Sequence, residues 1–395
     1  MADPSTIWWH VYPLGATGAP VQERHEGDSG PRLLRLLPWL DHVVELGCDG
    51  LLLGPVFTSA THGYDTLDHL SLDPRLGDAE DWDRFVAEAR GRGLRIMLDG
   101  VFNHVSTAHP LVQDGPTRPW EGHGDLAELD HDDPAVADLV TDVMLHWLRR
   151  GADGWRLDVA YAVPPRFWAE VLGRVRHEFP DALFLGEVIH GDYPSMARAG
   201  TLDTVTQYEL WKAVWSSLVD RNLWELAWAL ERHDELSSDL VLQTFVGNHD
   251  VTRIASRVGD EGAALAAALL LTLPGMPSIY YGDELGFRGE KGSSWGADGP
   301  LRPMLPDHPS DIGLGWDMFR HHQELVALRR ANPWLTRGRV AVVDKANEQL
   351  AYEVVGAGED GTPHRLRVRL DLTDASVLVE RDGTPVLHRR GLTAV

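Results

Sequence analysis

The stretch GWRLDVA, residues 154–160, alternates apolar Trp155, Leu157 and Val159 with charged Arg156 and Asp158. Side chains two apart on a strand share a face, so the guanidinium and the carboxylate point the same way. Burying such a pair solely for stability is unfavourable, because both ions must be desolvated. The segment therefore reads as a buried strand whose charges serve chemistry. Similar short apolar strands recur on both sides: IWWHVYP (7–13), DGLLLGP (49–55), LRIMLDGV (94–101), ALFLGEV (182–188), DTVTQY (203–208), LVLQTFVG (240–247) and PSIYYGD (277–283). Amphipathic helical patterns lie between them, such as AEDWDRFVAEARGRG and PAVADLVTDVMLHWLRRG. Strands alternating with helices in this way predict an α/β fold, a (β/α)8 TIM barrel. A doubly wound nucleotide-binding sheet would carry a glycine-rich phosphate loop, and the sequence has none.

Two segments break the rhythm. Residues 105–133 form a long loop after the third strand, and a loop of that length is usually functional. From residue 334 the chain turns β-rich, as in RLRVRLDLTDASVLVERDGTPVL. The expected organisation is a catalytic barrel over residues 1–333, including the short inserted loop subdomain 105–133, and a small antiparallel C-terminal β domain over 334–395.

The formal charge of −24 over 395 residues argues against nucleic acid or an anionic membrane as a partner. Cys48 is the only cysteine, so an intrachain disulfide is excluded. No apolar run reaches the ~20 residues that span a bilayer. The start, MADPSTIWWHVYP, lacks the basic and apolar regions of a secretory signal. A soluble, cytoplasmic protein is expected.

In a barrel of this kind, chemistry sits at the C-terminal ends of the strands. Asp99, Asn103 and His104 follow the third strand, and Arg156 and Asp158 lie on the fourth. Glu187 ends the fifth, and His249 and Asp250 follow the seventh. Three carboxylates, Asp158, Glu187 and Asp250, thus point toward one mouth. A metal hydrolase would want closely spaced ligands such as H-x-H, which no strand end supplies. Paired carboxylates instead suit glycoside hydrolysis, where one attacks or stabilises the anomeric carbon and another protonates the leaving oxygen.

The segments DGVFNH (99–104), GWRLDVAY (154–161), GEVI (186–189) and FVGNHD (245–250) resemble, in order and spacing, the four sequence regions of the α-amylase superfamily, glycoside hydrolase family 13. HGYDTLDH (62–69), GCDGLLLGPVF (47–57) and GMPSIYYGDELG (275–286) extend the match over roughly residues 6 to 335. The resemblance implies Asp158 as nucleophile, Glu187 as general acid/base and Asp250 as the carboxylate that stabilises the transition state. It also implies that His104 and His249 bind sugar hydroxyls, that Tyr64 stacks on the sugar ring, and that Arg156 holds Asp158 ionised and oriented. Asn103 matches a frequent calcium ligand of the family. The inserted loop is short, however, and DVAYA (158–162) lacks the Lys-His pair of typical members, so no cofactor or metal is expected.

The motifs lie closer to neopullulanase- and cyclomaltodextrinase-like members than to starch-liquefying α-amylases. Ile189 stands where those members usually place a Trp, and Thr61 where many exo-acting α-glucosidases carry an Asp. Trp120 in the inserted loop is the expected stacking platform for sugar. Trp211, Trp215, Trp224 and Trp228, at helical spacing, are expected in the core. The resulting expectation is a retaining glycosidase cleaving α-glucosidic bonds, α-1,4 in maltooligosaccharides, with an oligosaccharide as substrate and no assigned oligomeric state. A transglycosylase would use the same carboxylates. A non-catalytic sugar-binding protein of the same fold would be marked by loss of one carboxylate, and none is lost.

Overall fold

The computed structural model describes residues 4–22, 27–112, 118–293 and 297–394. Its centre is a parallel sheet of eight strands: β1 (Trp8–Val11), β2 (Gly50–Leu53), β3 (Arg95–Gly100), β4 (Gly154–Leu157), β5 (Leu183–Gly186), β6 (Thr204–Val205), β7 (Gln243–Phe245) and β8 (Met276–Tyr280). Spatial order is β6-β5-β4-β3-β2-β1-β8-β7. A parallel bridge between Thr206 and Gln243 joins the two outer strands and completes the (β/α)8 barrel.

The strands are short because each needs only to cross the barrel wall. Alternate residues face inward, where Trp8, Leu52, Met97, Leu183, Leu185, Val241 and Met276 form a cluster of their own. The opposite faces pack under the surrounding helices, which place Trp39, Trp82, Trp147 and Trp168 against them. Helix α1 (Leu37–Leu46) ends on Gly47 in the left-handed region at φ 92°, and α2 (Ala79–Gly91) starts from a reciprocal Asp78–Asp81 capping box.

Two inward positions require glycine because the interior is full. A Cβ on Gly50 would lie 2.5 Å from the Trp8 ring, and one on Gly154 would lie 2.4 Å from the backbone oxygen of Leu183. The second position opens the stretch that carries Arg156 and Asp158.

The inserted loop carries a small antiparallel sheet of His104–Ser106, Arg118–Pro119 and Leu126–Glu128. The C-terminal sheet runs β9 (Arg339–Lys345), β10 (Gln349–Ala357), β11 (Pro363–Asp371), β12 (Ser376–Arg381) and β13 (Thr384–Arg390), each antiparallel to the next. It is fastened to the barrel by the Tyr352 hydroxyl on Thr272 Oγ1 at 2.6 Å and by Arg389 Nε on Glu324 Oε2 at 3.0 Å. No helix among the described residues is long and apolar enough to cross a membrane.

One expectation is overturned for half of its residues. Trp211 and Trp215 pack partly buried, but Trp224 and Trp228 are 49% and 61% exposed. Their helix, Trp224–Leu236, buries the opposite face through Leu226, Ala227, Leu230 and His233. Helical spacing gives residues a common face without saying which face is covered.

Gly154→Ala is expected to destabilise the fold by about 2 kcal/mol, because backbone has to yield to admit the methyl group. Denaturant unfolding measures this, and a variant as stable as the parent would contradict the close approach of β4 and β5.

Candidate active site

The ladder that builds the barrel also aligns the charges. Asp99 on β3 pairs in register with Arg156 on β4. One residue beyond the paired ends, Asp158 N–H bonds Gly100 O at 3.0 Å and Glu187 N–H bonds Leu157 O at 2.9 Å. Both carboxylates therefore leave adjacent strands at the same mouth.

Arg156 is the hub. Its Nη1 donates to Asp99 Oδ1 at 2.6 Å and Oδ2 at 2.7 Å, and to Asp158 Oδ1 at 3.1 Å. Its Nη2 reaches Glu187 Oε1 at 2.8 Å. All four side chains are buried. Burial pushes the Asp158 carboxyl well above the usual aspartate value; Arg156 opposes this, while Glu187 and Asp99 reinforce it. Asp99 is likewise raised, by burial first. One guanidinium faces three carboxylates here, so it orients Asp158 while desolvation outweighs its pull on that carboxyl.

Asp250 sits in a second network. Arg302 Nη2 donates to its Oδ1 at 3.1 Å, and His249 Nε2 lies 3.0 Å from its Oδ2. Burial alone would raise this carboxyl, but His249 and Arg302 overcome it and hold Asp250 well below the usual carboxylate range. Tyr64 joins the two networks. Its hydroxyl donates to Asp99 Oδ2 at 2.9 Å and also contacts His249 Nε2, and its ring stacks on that imidazole at 5.3 Å.

Asp158, Glu187, Asp250, Tyr64, His104 and Arg302 all border one open cleft of about 470 Å³, within the range of small-ligand sites. Arg156 and His249 lie beneath it, lining a smaller cavity. All seven site residues expected from the sequence therefore gather in or directly under this cleft. Burial lowers His104 to about 4, which makes it a neutral hydrogen-bonding group at neutral pH. Trp120 stacks on His104 at 5.6 Å, so one face of its ring is already occupied. Lys291 and Asp298 also line the cleft.

Three residues were missed. Arg302 directly follows the 3-10 turn Gly299–Leu301, beyond β8, with no periodic pattern to mark it. Tyr208, the first residue of the helix Tyr208–Asp220, donates from its hydroxyl to Glu187 Oε1 at 3.0 Å. Val159 adopts φ 49°, a region that β-branched residues rarely enter. Its N–H donates to Glu187 Oε2 at 3.0 Å. A Val directly after a candidate nucleophile carries no sequence sign of that strain.

Asn103, the residue matched to a frequent calcium ligand, is fully buried. The Asn103 Oδ1 atom is buried without a hydrogen-bond partner, but its amide nitrogen lies 3.3 Å from the His104 ring. Among the described residues no group of three His, Cys, Asp or Glu side chains gathers as a metal site.

The raised Asp158 value has a signed consequence. A carboxyl raised in the folded state contributes stability that is present below its unfolded value of about 3.9 and lost as pH rises through its folded value. Ionising Asp158 as pH rises through that folded value therefore costs stability. Asp158→Asn is expected to be at least as stable as the parent at pH 7 in urea unfolding, and a marked loss there would contradict this balance.

Comparison with known proteins agrees with this geometry. The family described as alpha amylase, catalytic domain, matches residues 36–118 and 120–325. The intracellular maltogenic amylase of Bacillus subtilis (strain 168) is 28% identical over 402 residues, covering 88% of this chain and 66% of its own. Neopullulanase 2 of Thermoactinomyces vulgaris is 30% identical over 357 residues, covering 81% of this chain and 59% of its own. The chain thus spans about two thirds or less of the length of these relatives. Among solved structures, the cyclic α-maltosyl-(1→6)-maltose hydrolase of Arthrobacter globiformis superposes with a TM-score of 0.80 at 26% identity, covering 94% of this chain and 92% of that one. With the family match extending over most of the barrel, the chain belongs to the alpha-amylase family.

Proposed function

We propose that the protein is a retaining glycoside hydrolase that cleaves α-glucosidic bonds, α-1,4 bonds in maltooligosaccharides or related short α-glucans. The observation that carries this is the sharing of one guanidinium by Asp158 and Glu187, with Asp250 held ionised in a separate network in the same cleft. A shared guanidinium keeps the two carboxyls close, as retaining enzymes need, and leaves little room for the water that an inverting enzyme places between them. The names of the relatives, a maltogenic amylase and a neopullulanase, support the substrate class. A cytoplasmic location belongs to the same proposal, supported by the relative named intracellular.

In the first step Asp158 attacks the anomeric carbon as the glycosidic C–O bond breaks. Its Oδ1 is held by Arg156, so Oδ2 is the attacking atom. The bonding electrons go to the leaving oxygen, which takes a proton from Glu187. In the second step Glu187, now a carboxylate, removes a proton from water. The water oxygen bonds to the anomeric carbon and Asp158 departs as a carboxylate. Asp250, kept anionic by His249 and Arg302, hydrogen-bonds the ring hydroxyls and favours the oxocarbenium-like state. Hydrolysis is preferred to sugar transfer because the superposed neighbour, matched over nearly its whole length, is itself named a hydrolase.

Glu187→Gln is expected to lower kcat on maltooligosaccharides by ~10²–10⁴-fold, the usual worth of a general acid. Asp250→Asn is expected to fall comparably without unfolding. Proton NMR of the first-formed product from maltotriose is expected to show the α-anomer. A β-anomer appearing first would mean inversion and would remove Asp158 from its role.

A further inference from the structure

The two oxygens of Glu187 are not equivalent. Oε1 is ion-paired with Arg156 Nη2 at 2.8 Å and accepts from the Tyr208 hydroxyl at 3.0 Å, so a cation and a hydroxyl donor both face it. Oε2 accepts one bond, from Val159 N–H at 3.0 Å. A neutral carboxyl must carry its hydrogen on one oxygen, and an oxygen already facing two donors is the wrong one.

The direction of the Tyr208 bond is fixed by what lies behind it. Asn248 Nδ2 donates to the Tyr208 hydroxyl oxygen at 3.0 Å. The orientation of that amide is set in turn, because Asn248 Oδ1 accepts from Asp250 N–H at 2.9 Å and a backbone amide only donates. With its oxygen accepting from Asn248, the phenol turns its single proton to Glu187. Burial raises Tyr208 well above the usual tyrosine range, so it remains a donor.

The ring is held independently of these polar contacts. Tyr208 packs edge-on against Phe245 at 4.9 Å and Trp211 at 5.7 Å. The preceding residue, Gln207, donates its N–H to Gln243 O at 2.9 Å, across the seam that closes the barrel.

We propose that Tyr208 is a positioning residue for the acid step: with Arg156 it reserves Glu187 Oε1, so that the transferable proton resides on Oε2. The proposal rests on the assignment of Glu187 as general acid. When the glycosidic bond breaks, the Oε2–H bond breaks with it, the proton passes to the leaving oxygen and the electron pair stays on Oε2. Without the phenol, Oε1 regains a free lone pair and competes for the proton in an unproductive position.

The test compares kcat/KM on maltotriose, whose leaving group needs a proton, with kcat/KM on 2,4-dinitrophenyl α-maltoside, whose leaving group does not. Tyr208→Phe keeps the ring contacts and removes only the hydroxyl. It is expected to lose about 10- to 100-fold on maltotriose, the worth of a hydrogen bond to a charged group, and less than about threefold on the dinitrophenyl substrate. Glu187→Gln measured in parallel tests the underlying assignment, with a selective loss on maltotriose expected. If Glu187→Gln is selective while Tyr208→Phe loses both activities equally, or neither, the role of Tyr208 is overturned and the acid assignment stands. If Glu187→Gln itself impairs both substrates equally, the acid assignment fails and the role of Tyr208 falls with it.

Discussion

A single guanidinium placed inside a barrel against three carboxylates is the constraint around which the rest of the structure is arranged. Arg156 binds Asp99 through both of its oxygens and reaches Asp158 and Glu187 as well. Removing such a group would leave buried charges without a partner, a loss of about 3–5 kcal/mol for a single broken pair. Its requirements propagate downward. Three adjacent strands must keep their register, and Gly154 must stay free of a side chain where β4 meets β5. The arrangement also leaves a deficit of positive charge, which is why burial prevails and raises Asp99 and Asp158.

That deficit is local. Asp250, at the same mouth, is served by Arg302 and His249 and moves in the opposite direction. Two carboxylates in one cleft with opposed environments can perform different tasks at one pH. The networks remain joined through the Tyr64 hydroxyl and through the Asn248–Tyr208 pair, which ties the Asp250 backbone to Glu187. A sugar in the cleft would thus be surrounded by one connected set of hydrogen bonds, fixed before it arrives.

How much of this was legible follows from what a sequence encodes. Alternation in GWRLDVA places Arg156 and Asp158 on one face, and repeated strand–helix units place Glu187 and Asp250 at the same mouth, because period and order survive in one dimension. Exposure of Trp224 and Trp228 was not legible, since it depends on which face of a helix meets its neighbours. Nor was the value of Asp158, which is decided by how many carboxylates share one cation in three dimensions. Tyr208, Arg302 and the left-handed Val159 reach the site from loops and helix starts, where backbone geometry rather than periodicity aims the group.

The central claim is that Asp158 bonds covalently to the sugar. Incubation with a slow-turnover 5-fluoro-α-glucosyl fluoride, followed by proteolysis and mass spectrometry, tests it directly. The account predicts a single glycosylated peptide with the sugar on Asp158, lost on incubation with an acceptor sugar. A label on another residue would contradict it, as would turnover-dependent inactivation without any label on Asp158.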